Sequence, residues 1–437
     1  MAILKVSGKT VAIIAFLVLW TMSMHGKPSA AGDEPYYLLL TQSLLADHDF
    51  DLANNFENND GRLVGADHLE AGKHAKVNRF GELWSTHDVG LSVLVLPAYA
   101  VGTDVGHVLP PSALARFRMD EGRFAYFTVS LFLIALTSIG CGLLFAACCR
   151  FAPAGTAAII ALVVTLSPPV LPHGFLVFPE TPAFFVTCFV LWLAVEADFA
   201  RRFFWTGIAA VSLGCLPWIH RKFSFFVIAL AIALWHSQRE WFAEERRGRL
   251  PLLAALFVVP QILLHVFTLR AWGHIGGPQI MDADVFRLSG IGTGAAGMLL
   301  DRSRGLIPYA PIYLILPLIW WAAGRRFLIW LLPIAALFLP MAAFVTWDAG
   351  YSPAARFLVP LMPLAALPAV LALRTRWIRI AAMPLLVLQL VIFGLAWQRP
   401  RILWPADVGD NRALNSIPVI GAALNSLFPV INRGSWR

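Results

Sequence analysis

Long apolar runs, repeated along almost the whole chain, constrain this sequence more than any other feature. Most are long enough, at roughly 17 to 25 residues, to match the hydrocarbon thickness of a bilayer. Because 58% of the residues are hydrophobic and only 14% are charged, the soluble classes of protein are excluded. The sequence therefore predicts an all-α polytopic membrane protein with about eleven transmembrane helices. The predicted spans are 11–24, 124–149, 155–171, 181–199, 203–219, 223–235, 250–269, 306–323, 327–347, 354–373 and 377–397.

A twelfth apolar run, 89–109, decides the predicted topology. It contains Pro97, Asp104 and His107, which are unfavourable in a lipid-facing helix. If this run lies on the outer surface, the N-terminus is cytoplasmic, the C-terminus is outside, and most basic loops are cytoplasmic, as the positive-inside rule favours. Those loops carry Lys5, Lys9, Arg150, Arg201, Arg202, Arg239, Arg246, Arg247, Arg249, Arg325, Arg326, Arg374, Arg376 and Arg379. The opposing observation is that Arg116, Arg118 and Arg123 then lie outside.

One transmembrane domain is expected over residues 1–397. Residues 27–122 would form a large first outer loop with membrane-lying helices, and 398–437 a short outer tail. The basic N-terminus and the run 11–24 favour an uncleaved signal-anchor helix, although the small residues that follow also allow a cleaved signal peptide. The five cysteines are predicted to be small membrane-buried hydrophobes: Cys141, Cys148, Cys149, Cys188 and Cys215.

The predicted outer face begins with an acidic pair, Asp33 and Glu34, directly after the first span. Two adjacent carboxylates at a membrane surface repel each other, so at least one needs a cation, a proton or a hydrogen-bond donor. The segment 34–46 continues with apolar residues at helical spacing, which predicts an amphipathic interfacial helix. Asp33 as its N-cap, with Pro35 in its first turn, explains one acid but not the pair.

This arrangement resembles the GT-C glycosyltransferases, integral-membrane enzymes that use polyprenyl-phosphate-linked sugars. They include protein O-mannosyltransferases, aminoarabinose transferases of lipid A and oligosaccharyltransferases. The resemblance covers the acidic pair, the long first outer loop and a second acid, Glu180, in the next outer loop. It implies that Asp33 is the general base on the acceptor or a metal ligand, with Glu34 beside it. The family more often has Asp where this chain has Glu180, and a helix-N-terminal Glu favoured by the macrodipole is the alternative.

Polar and basic residues on the same face are predicted to bind the donor. They are His87, His220, Arg221, Lys222, Arg302, Arg304, Asp348, Tyr351 and Arg356. Arginines on the outer face oppose the positive-inside rule, and a lipid-linked phosphate, which Arg binds bidentately, explains their position. The alternatives are snorkelling of each arginine to ordinary headgroups and, for His87, a solvated loop histidine.

The predicted activity is inverting transfer of a hexosyl or pentosyl group from a polyprenyl-phosphate carrier to an acceptor outside the plasma (inner) membrane. Asp33 would take the acceptor's proton, and Glu34 and Glu180 would position the substrate or a metal. The possible cofactor is a divalent cation, Mg²⁺ or Mn²⁺, held by Asp33 and Glu180. The predicted partners are the lipid-linked donor, membrane lipid and an acceptor glycan, lipid or protein, without nucleic acid.

The competing function is a transporter or flippase of a lipid-linked or anionic substrate. It would require charged residues near the middle of the membrane and broken helices in paired positions, and the apolar runs contain almost no ionisable residues. One further motif, Gly292-x-Gly294-x-x-Gly297, matches a dinucleotide-binding fingerprint without the strand that should precede it. A flexible outer loop that gates a substrate cavity is expected there instead.

Overall fold

The computed structural model describes residues 6–26, 30–64, 66–196, 202–245, 248–278, 285–405 and 409–431. Four residues of the predicted cytoplasmic loops, Lys5, Arg201, Arg246 and Arg247, lie outside these ranges.

Helices make up most of the described chain. The first nine are α1 (Gly8–Gly26), α2 (Glu34–Ala46), α3 (Ala53–Glu57), α4 (Gly90–Val108), α5 (Pro111–Arg116), α6 (Glu121–Cys149), α7 (Ala154–Leu166), α8 (Val170–His173) and α9 (Glu180–Val195). The next eight are α10 (Arg202–Ile219), α11 (Ser224–Ser237), α12 (Arg239–Glu245), α13 (Leu250–Trp272), α14 (Ile291–Leu300), α15 (Leu306–Tyr309), α16 (Leu316–Ala323) and α17 (Leu331–Ala343). The last four are α18 (Ala366–Ala372), α19 (Arg376–Gln398), α20 (Arg412–Asn415) and α21 (Gly421–Ser426). Short 3-10 segments are Asp60–Val64, Arg221–Phe223, Leu288–Gly290, Pro311–Ile315, Gly324–Trp330, Arg356–Ala365 and Pro400–Leu403.

The chain is a multi-pass helical membrane protein. Within the described ranges, six helical segments are long and apolar enough to cross a bilayer: Gly90–Val108, Glu121–Cys149, Arg202–Ile219, Leu250–Trp272, Pro311–Ala343 and Arg376–Gln398. Five shorter apolar segments accompany them: Gly8–Met24, Ala154–Leu166, Glu180–Val195, Leu288–Leu300 and Arg356–Ala372. The total of eleven spans remains an expectation.

Helix α6 lies at the centre of the bundle and packs against α1, α4, α7 and α9. Small residues allow close approach between these helices. A Cβ at Gly142 would lie 2.9 Å from the carbonyl oxygen of Gly8, and a Cβ at Gly102 would collide with Thr128. Small residues at such contacts are typical of helices that associate in a membrane, where close packing replaces the hydrophobic effect as the main attraction.

The two ends of α9 lie in different surroundings. Glu180 begins the helix, and Glu196, directly after it, pairs with Arg150. Near that far end, Arg374 donates to the carbonyl of Phe151, and Arg326 lies over the Phe151 ring. Three loops predicted to be cytoplasmic therefore meet at one end, about 24 Å along the helix from Glu180, at 1.5 Å per residue.

A short hairpin in the first loop departs from the all-α prediction. Strand β1 (Ala75–Val77) pairs antiparallel with β2 (Leu83–Ser85). In the turn, the Asn78 side chain accepts from the backbone N–H groups of Phe80 and Glu82, and Gly81 has φ +85. Asn and Gly favour such turns, so the turn residues of this hairpin are visible in the sequence.

Helix α2 has the predicted bounds, but the prediction of an amphipathic surface helix is wrong. Most of its residues are buried, from Glu34 and Pro35 through Tyr37, Leu38, Leu39, Leu40, Thr41 and Ser43. The reason is that α4 and the 3-10 segment Asp60–Val64 pack over α2. The first loop therefore folds around α2.

The expected flexible loop at Gly292–Gly297 is also wrong, because these residues form part of α14. A Cβ at Gly294 would collide with the carbonyl oxygen of Ala342, and a Cβ at Gly297 would lie 2.5 Å from the Trp347 ring. The glycines therefore serve close helix packing rather than loop freedom. The prediction for the cysteines holds in part: all five thiols are free, with Cys141, Cys148 and Cys188 buried and Cys149 and Cys215 exposed at the surface of the bundle.

Candidate active site

The candidate site is centred on Arg356, at the end of the bundle where α9 begins. Its Nη1 lies 2.8 Å from Oδ2 of Asp33, and its Nε lies 2.9 Å from Oε1 of Glu180. The Lys222 ammonium binds the same oxygen of Glu180. Four predicted site residues, separated by up to 323 positions in the sequence, therefore form one network of two acids and two cations.

Arg356 is held in place on several sides. Its side chain is only 5% exposed, and its guanidinium carbon lies 4.0 Å from the centre of the Phe178 ring. The preceding residue, Ala355, has φ +57, and its backbone N–H donates to the carbonyl of Arg304. A non-glycine residue at positive φ needs support from its surroundings, so this backbone is fixed where it presents Arg356.

Lys222 lies in the short turn between α10 and α11, which the sequence predicts to be outside. Its Nζ is 5.1 Å from the ring centre of Phe223 and 4.9 Å from that of Phe357. Burial lowers the pKa of Lys222 to about 8, although the carboxylate of Glu180 acts in the opposite direction. Lys222 is therefore a desolvated cation with one strong anionic partner.

Asp33 precedes α2 but does not cap it, since its side chain makes no capping hydrogen bond. The carboxylate instead binds Arg356. Burial raises the pKa of Asp33, but the charge of Arg356, with help from His87 and His74, outweighs burial and holds this pKa well below its ordinary value. Asp33 is therefore ionised, and an acid–cation pair explains its position better than the capping alternative.

Glu34, expected to be catalytic, is fully buried, and its carboxylate accepts hydrogen bonds from the surrounding protein. Its Oε1 accepts from the Tyr126 hydroxyl and the Val177 backbone N–H, both at 2.9 Å, and its Oε2 accepts from the Ala31 N–H at 3.1 Å. These bonds join the start of α2 to α6 and to the segment that leads into Glu180. The two acids of the pair are thus separated in role, because one faces Arg356 and the other bonds to the scaffold.

His87 lies beside a histidine that sequence reasoning did not single out. Nε2 of His87 is 3.0 Å from Nδ1 of His74, and the Tyr36 ring stacks on His74 with 3.9 Å between centres. His74 directly precedes β1 and His87 follows β2, so the hairpin brings them together. Burial lowers the pKa of His87 to about 4, against the opposing charge of Asp33, and burial also lowers the pKa of His74.

Among the described residues, the group that could hold a metal ion is Asp33, His74 and His87, whose ligand atoms lie within 4.8 Å of one another. Glu180 does not belong to it, and the expected ligand pair of Asp33 and Glu180 is not formed. The reason is electrostatic: one oxygen of Glu180 is shared by Arg356 and Lys222, and a third cation there would be repelled.

Arg221 and His220 support the site rather than joining the Arg356 network. Arg221 binds Asp88 through its backbone N–H and its guanidinium, with both Asp88 oxygens engaged. Nδ1 of His220 accepts from the Lys222 backbone N–H at 3.2 Å. Asp88 directly follows His87, so this ion pair fixes the hairpin against the turn that carries Lys222.

Arg302 and Arg304 were expected to meet the donor phosphate, and the structure gives them other partners. Nε of Arg302 donates to the carbonyl of Phe428 at 3.0 Å, and Arg304 donates to the carbonyl of Gly350. Asp348 is buried, whereas Tyr351 is 68% exposed. In the described residues, neither arginine belongs to the network of Asp33, Glu180, Lys222 and Arg356.

Three buried polar atoms around this network have no hydrogen-bond partner within the described part of the chain: Tyr37 Oη, His173 Nε2 and Glu180 Oε2. Nδ1 of His173 lies 2.7 Å from the carbonyl of Pro169, which can only accept, so Nδ1 carries the proton and Nε2 presents a lone pair. Buried polar atoms are normally satisfied, so these three atoms indicate a place for a polar ligand. Sequence reasoning does not single out His173, because no spacing rule marks an isolated histidine.

Comparison with known proteins gives the fold. No protein-family model and no curated protein sequence matches the chain. Among solved structures, it is similar to ArnT from Cupriavidus metallidurans bound to undecaprenyl phosphate, with 14% sequence identity and a TM-score of 0.53 over 96% of this chain and 69% of ArnT.

Two structures of the Archaeoglobus fulgidus oligosaccharyltransferase score lower, each at 12% identity. The complex with zinc and sulfate has a TM-score of 0.46 over 96% of this chain and 57% of that one. The complex of AglB with an inhibitory peptide and a dolichol-phosphate has a TM-score of 0.43 over 97% and 60%. The similarity to ArnT shows that the chain shares the fold of that structure, as the sequence resemblance to such transferases implies.

Proposed function

We propose that the chain transfers a sugar from a polyprenyl-phosphate carrier to an acceptor at the outer face of the plasma membrane. The observation that carries the proposal is the convergence of Asp33 and Glu180 on Arg356, beside Lys222, at one end of the helix bundle. ArnT, which shares this fold, was solved with undecaprenyl phosphate. The network contains the cations that a lipid phosphate needs and an acid that can accept a proton.

In the proposed reaction, the acceptor hydroxyl or amine attacks the anomeric carbon of the sugar. Asp33 takes the proton of the attacking group, the bond between the anomeric carbon and the phosphate oxygen breaks, and the polyprenyl phosphate leaves with that electron pair. Arg356 and Lys222 stabilise the negative charge that develops on the departing phosphate. The attack from the opposite side of the ring inverts the anomeric configuration.

The four charges of the network sum to zero when both acids are ionised. A donor phosphate therefore has to compete with Asp33 and Glu180 for Arg356 and Lys222. When the phosphate binds Arg356, the guanidinium releases Asp33, and the carboxylate regains basicity as the acceptor arrives. A divalent cation held by Asp33, His74 and His87 would add the positive charge that this neutral network lacks.

The test is Asp33→Asn, compared with the control Asp67→Asn at an exposed position of the same loop. Both full-length variants are reconstituted with a panel of polyprenyl-phosphate hexoses and pentoses. We expect Asp33→Asn to slow transfer by about 10² to 10⁴, as for loss of a general base. It should still bind undecaprenyl phosphate at least as tightly as the unchanged protein, because a competitor for Arg356 has been removed. Unchanged transfer by Asp33→Asn would contradict the assignment of the base.

The transporter alternative is tested in the same proteoliposomes. The buried charged residues of the described chain lie in segments predicted to be outside or, for Arg356, at the outer end of a predicted span: Glu34, Asp88, Glu180, Asp301, Asp348 and Arg356. A transporter requires such groups along its path through the membrane. Movement of a lipid-linked sugar across the bilayer without formation of a glycosylated acceptor would contradict the transferase proposal and support the transporter.

A further inference from the structure

We infer that the far end of the helix bundle, opposite the Arg356 network, binds the headgroup of an anionic phospholipid that carries two phosphate groups. The site is a surface of exposed arginines on two turns of the chain, and we refer to it as the arginine corner. Its members are Arg325, Arg326, Arg374, Arg376 and Arg379. The corner shares no residue with the candidate active site, so the inference does not depend on the proposed sugar transfer.

Phe151 joins the two turns. The guanidinium carbon of Arg326 lies 4.9 Å from the centre of the Phe151 ring, and Arg374 donates to the Phe151 carbonyl. Behind these contacts, α16 and α19 pack in one apolar cluster that contains Ile319 and Ile378. The two turns therefore hold their arginines side by side on one packed surface.

The arginine corner has no acidic residue of its own. Neither 321–330 nor 371–380 contains an Asp or a Glu. The ion pair that the described residues form at this end of the bundle joins Glu196 to Arg150 instead. Five cations that share one surface repel one another, and an anion from outside the chain would offset that repulsion.

Two of the arginines also oppose the dipole of α19. Arg376 and Arg379 lie in the first turn of this helix, where the positive end of the macrodipole disfavours cations. Thr375, at the N-cap position, makes no side-chain capping hydrogen bond. The arrangement is unfavourable for the helix alone, whereas a phosphate bound beside it would interact with the arginines and with the helix terminus together.

The residue types favour a phosphate of a lipid. The positive-inside rule requires only positive charge and is met equally well by lysine, but all five cations of the corner are arginines, whose planar guanidinium binds phosphate bidentately. Trp321 and Trp377, both exposed, lie with 6.2 Å between ring centres on the same two elements. Exposed tryptophans at the ends of apolar helices mark the level of the lipid headgroups.

The number of arginines favours two phosphates in one headgroup. One phosphate engages one or two guanidinium groups, whereas the corner presents five on two turns. Basic surfaces between membrane helices on the cytoplasmic side, where the sequence predicts these turns, are typical sites for headgroups with more than one phosphate. We therefore commit to a diphosphate phospholipid of the leaflet that faces this end.

The experiment measures lipid binding by the full-length protein. Delipidated protein in detergent is titrated with tetraoleoyl cardiolipin, dioleoyl phosphatidylglycerol or dioleoyl phosphatidylcholine, and bound lipid is counted by native mass spectrometry. We expect saturable binding of cardiolipin, binding of phosphatidylglycerol that is about tenfold weaker because it offers a single phosphate, and no saturable binding of phosphatidylcholine. Cardiolipin should also raise Tm, since a ligand of the folded state stabilises it. Equal affinity for cardiolipin and phosphatidylglycerol would overturn the inference.

A pair of double variants tests the location. Arg376→Gln with Arg379→Gln removes two cations of the corner, and Arg399→Gln with Arg401→Gln removes the same charge at the other end of α19. All four side chains are exposed, so both variants should fold. We expect the first variant to bind cardiolipin about 30-fold more weakly, as for loss of two cations at a lipid surface, and the control to bind it unchanged. Undiminished binding by the first variant, or equal weakening in both, would contradict a site at the corner.

Undecaprenyl phosphate distinguishes the arginine corner from the candidate active site. This lipid carries one phosphate, and the proposed transfer uses Arg356 to bind it. Excess undecaprenyl phosphate should therefore leave cardiolipin bound. Displacement of cardiolipin by undecaprenyl phosphate would assign the corner to the carrier lipid and overturn the inference, whereas the proposed transfer is judged separately from the activity of Asp33→Asn.

Discussion

At the level of single residues, the sequence named most members of the central network but not their partners. Asp33, Glu180, Lys222 and Arg356 could be singled out because acids and arginines next to apolar runs need a physical reason. Their pairing depends on contacts across up to 323 positions, which no local pattern encodes. His74 was missed for the same reason, since its partner His87 is thirteen positions away across a hairpin that was not predicted.

Glu34 shows how a correct residue can receive an incorrect role. Its carboxylate accepts from Tyr126, Val177 and Ala31, and is fully buried. Val177 leads directly into Phe178 and Glu180, both of which contact Arg356. Glu34 therefore fixes the distance between the backbone of Asp33 and the backbone of Glu180, which makes it a positioning residue.

This role predicts a graded response to substitution. Glu34→Gln keeps the size of the side chain but replaces one acceptor oxygen with an NH₂ group that cannot accept from Ala31. We expect kcat to fall by about 10- to 100-fold, because a small misplacement of reacting groups is costly, while the acidic limb of the pH–rate profile set by Asp33 persists. Steady-state kinetics of Glu34→Gln and Asp33→Asn across pH would compare the two roles.

The matched control is Tyr126→Phe, which removes one donor to Glu34 and leaves the carboxylate in place. It should lower kcat in the same direction as Glu34→Gln but by less. If Glu34→Gln instead loses the acidic limb of the profile and Tyr126→Phe has no effect, Glu34 is the base and its positioning role is wrong.

At the level of elements, helices were predicted well because their apolar content is high, and short polar segments were predicted poorly. Helix α2 matches the expected bounds, yet its burial depends on α4 and the Asp60–Val64 segment, which the local pattern of α2 does not reveal. The hairpin Ala75–Ser85 and the helix α14 also depend on contacts that their local sequence does not reveal. Their turn residues and glycines were visible, but their packing partners were not.

The segment 301–305 is hydrogen-bonded both to the C-terminal tail and to the segment that carries Arg356. Its Asp301 accepts from the backbone N–H of Ile431 at 2.8 Å, and Arg302 donates to Phe428. On the other side, the carbonyl of Arg304 accepts from Ala355, the residue before Arg356. The tail therefore braces the segment that presents Arg356, which explains the arginines at 302 and 304 without a lipid phosphate.

Replacement of Arg302 by Ala tests this bracing. We expect Arg302→Ala to destabilise the protein by about 1–3 kcal/mol, as for loss of a charged hydrogen bond. Its Kd for undecaprenyl phosphate should not change, because the side chain faces the tail. Arg356→Ala should weaken the same binding strongly. Thermal unfolding and lipid-binding titrations give the comparison, and an equal loss of lipid affinity in both variants would restore Arg302 as a phosphate ligand.

At the level of the whole molecule, the network around Arg356 bears on whether the run 89–109 crosses the membrane. Asp33 and Glu180 bind one guanidinium, so they lie on the same side of the membrane. An even number of crossings must then separate them. If α6 and α7 each cross once, as the sequence predicts, they supply two crossings, and a crossing by α4 would make three. Helix α4 is apolar and long enough to span, and we propose that it does not cross.

Packing along α6 gives the level and the direction of α4. Leu91 and Val95 of α4 lie in one apolar cluster with Leu133, whereas Leu19 and Met22, near the end of α1, cluster with the next residue, Ile134. Helix α4 therefore begins beside Leu133 and runs antiparallel to α6. It ends near the start of α6, where Gly106 packs against Glu121 and Phe124. The 29 residues of α6 extend about 44 Å, well beyond a bilayer core of about 30 Å, and α4 packs along the first part of this length.

Cysteine accessibility tests this topology in intact cells. In a variant with all native cysteines replaced by Ala, single cysteines are introduced at Val108, which is 85% exposed, at Ser416 in the tail and at Ser237 at the end of α11. A membrane-impermeant maleimide should label positions 108 and 416 from outside and reach position 237 only after permeabilisation. If α4 crosses the bilayer, position 108 and every later position change side, so all three results invert. That inversion would place Asp33 and Glu180 in opposite compartments, which their shared contact with Arg356 forbids, and the labelling therefore tests the site as well as the topology.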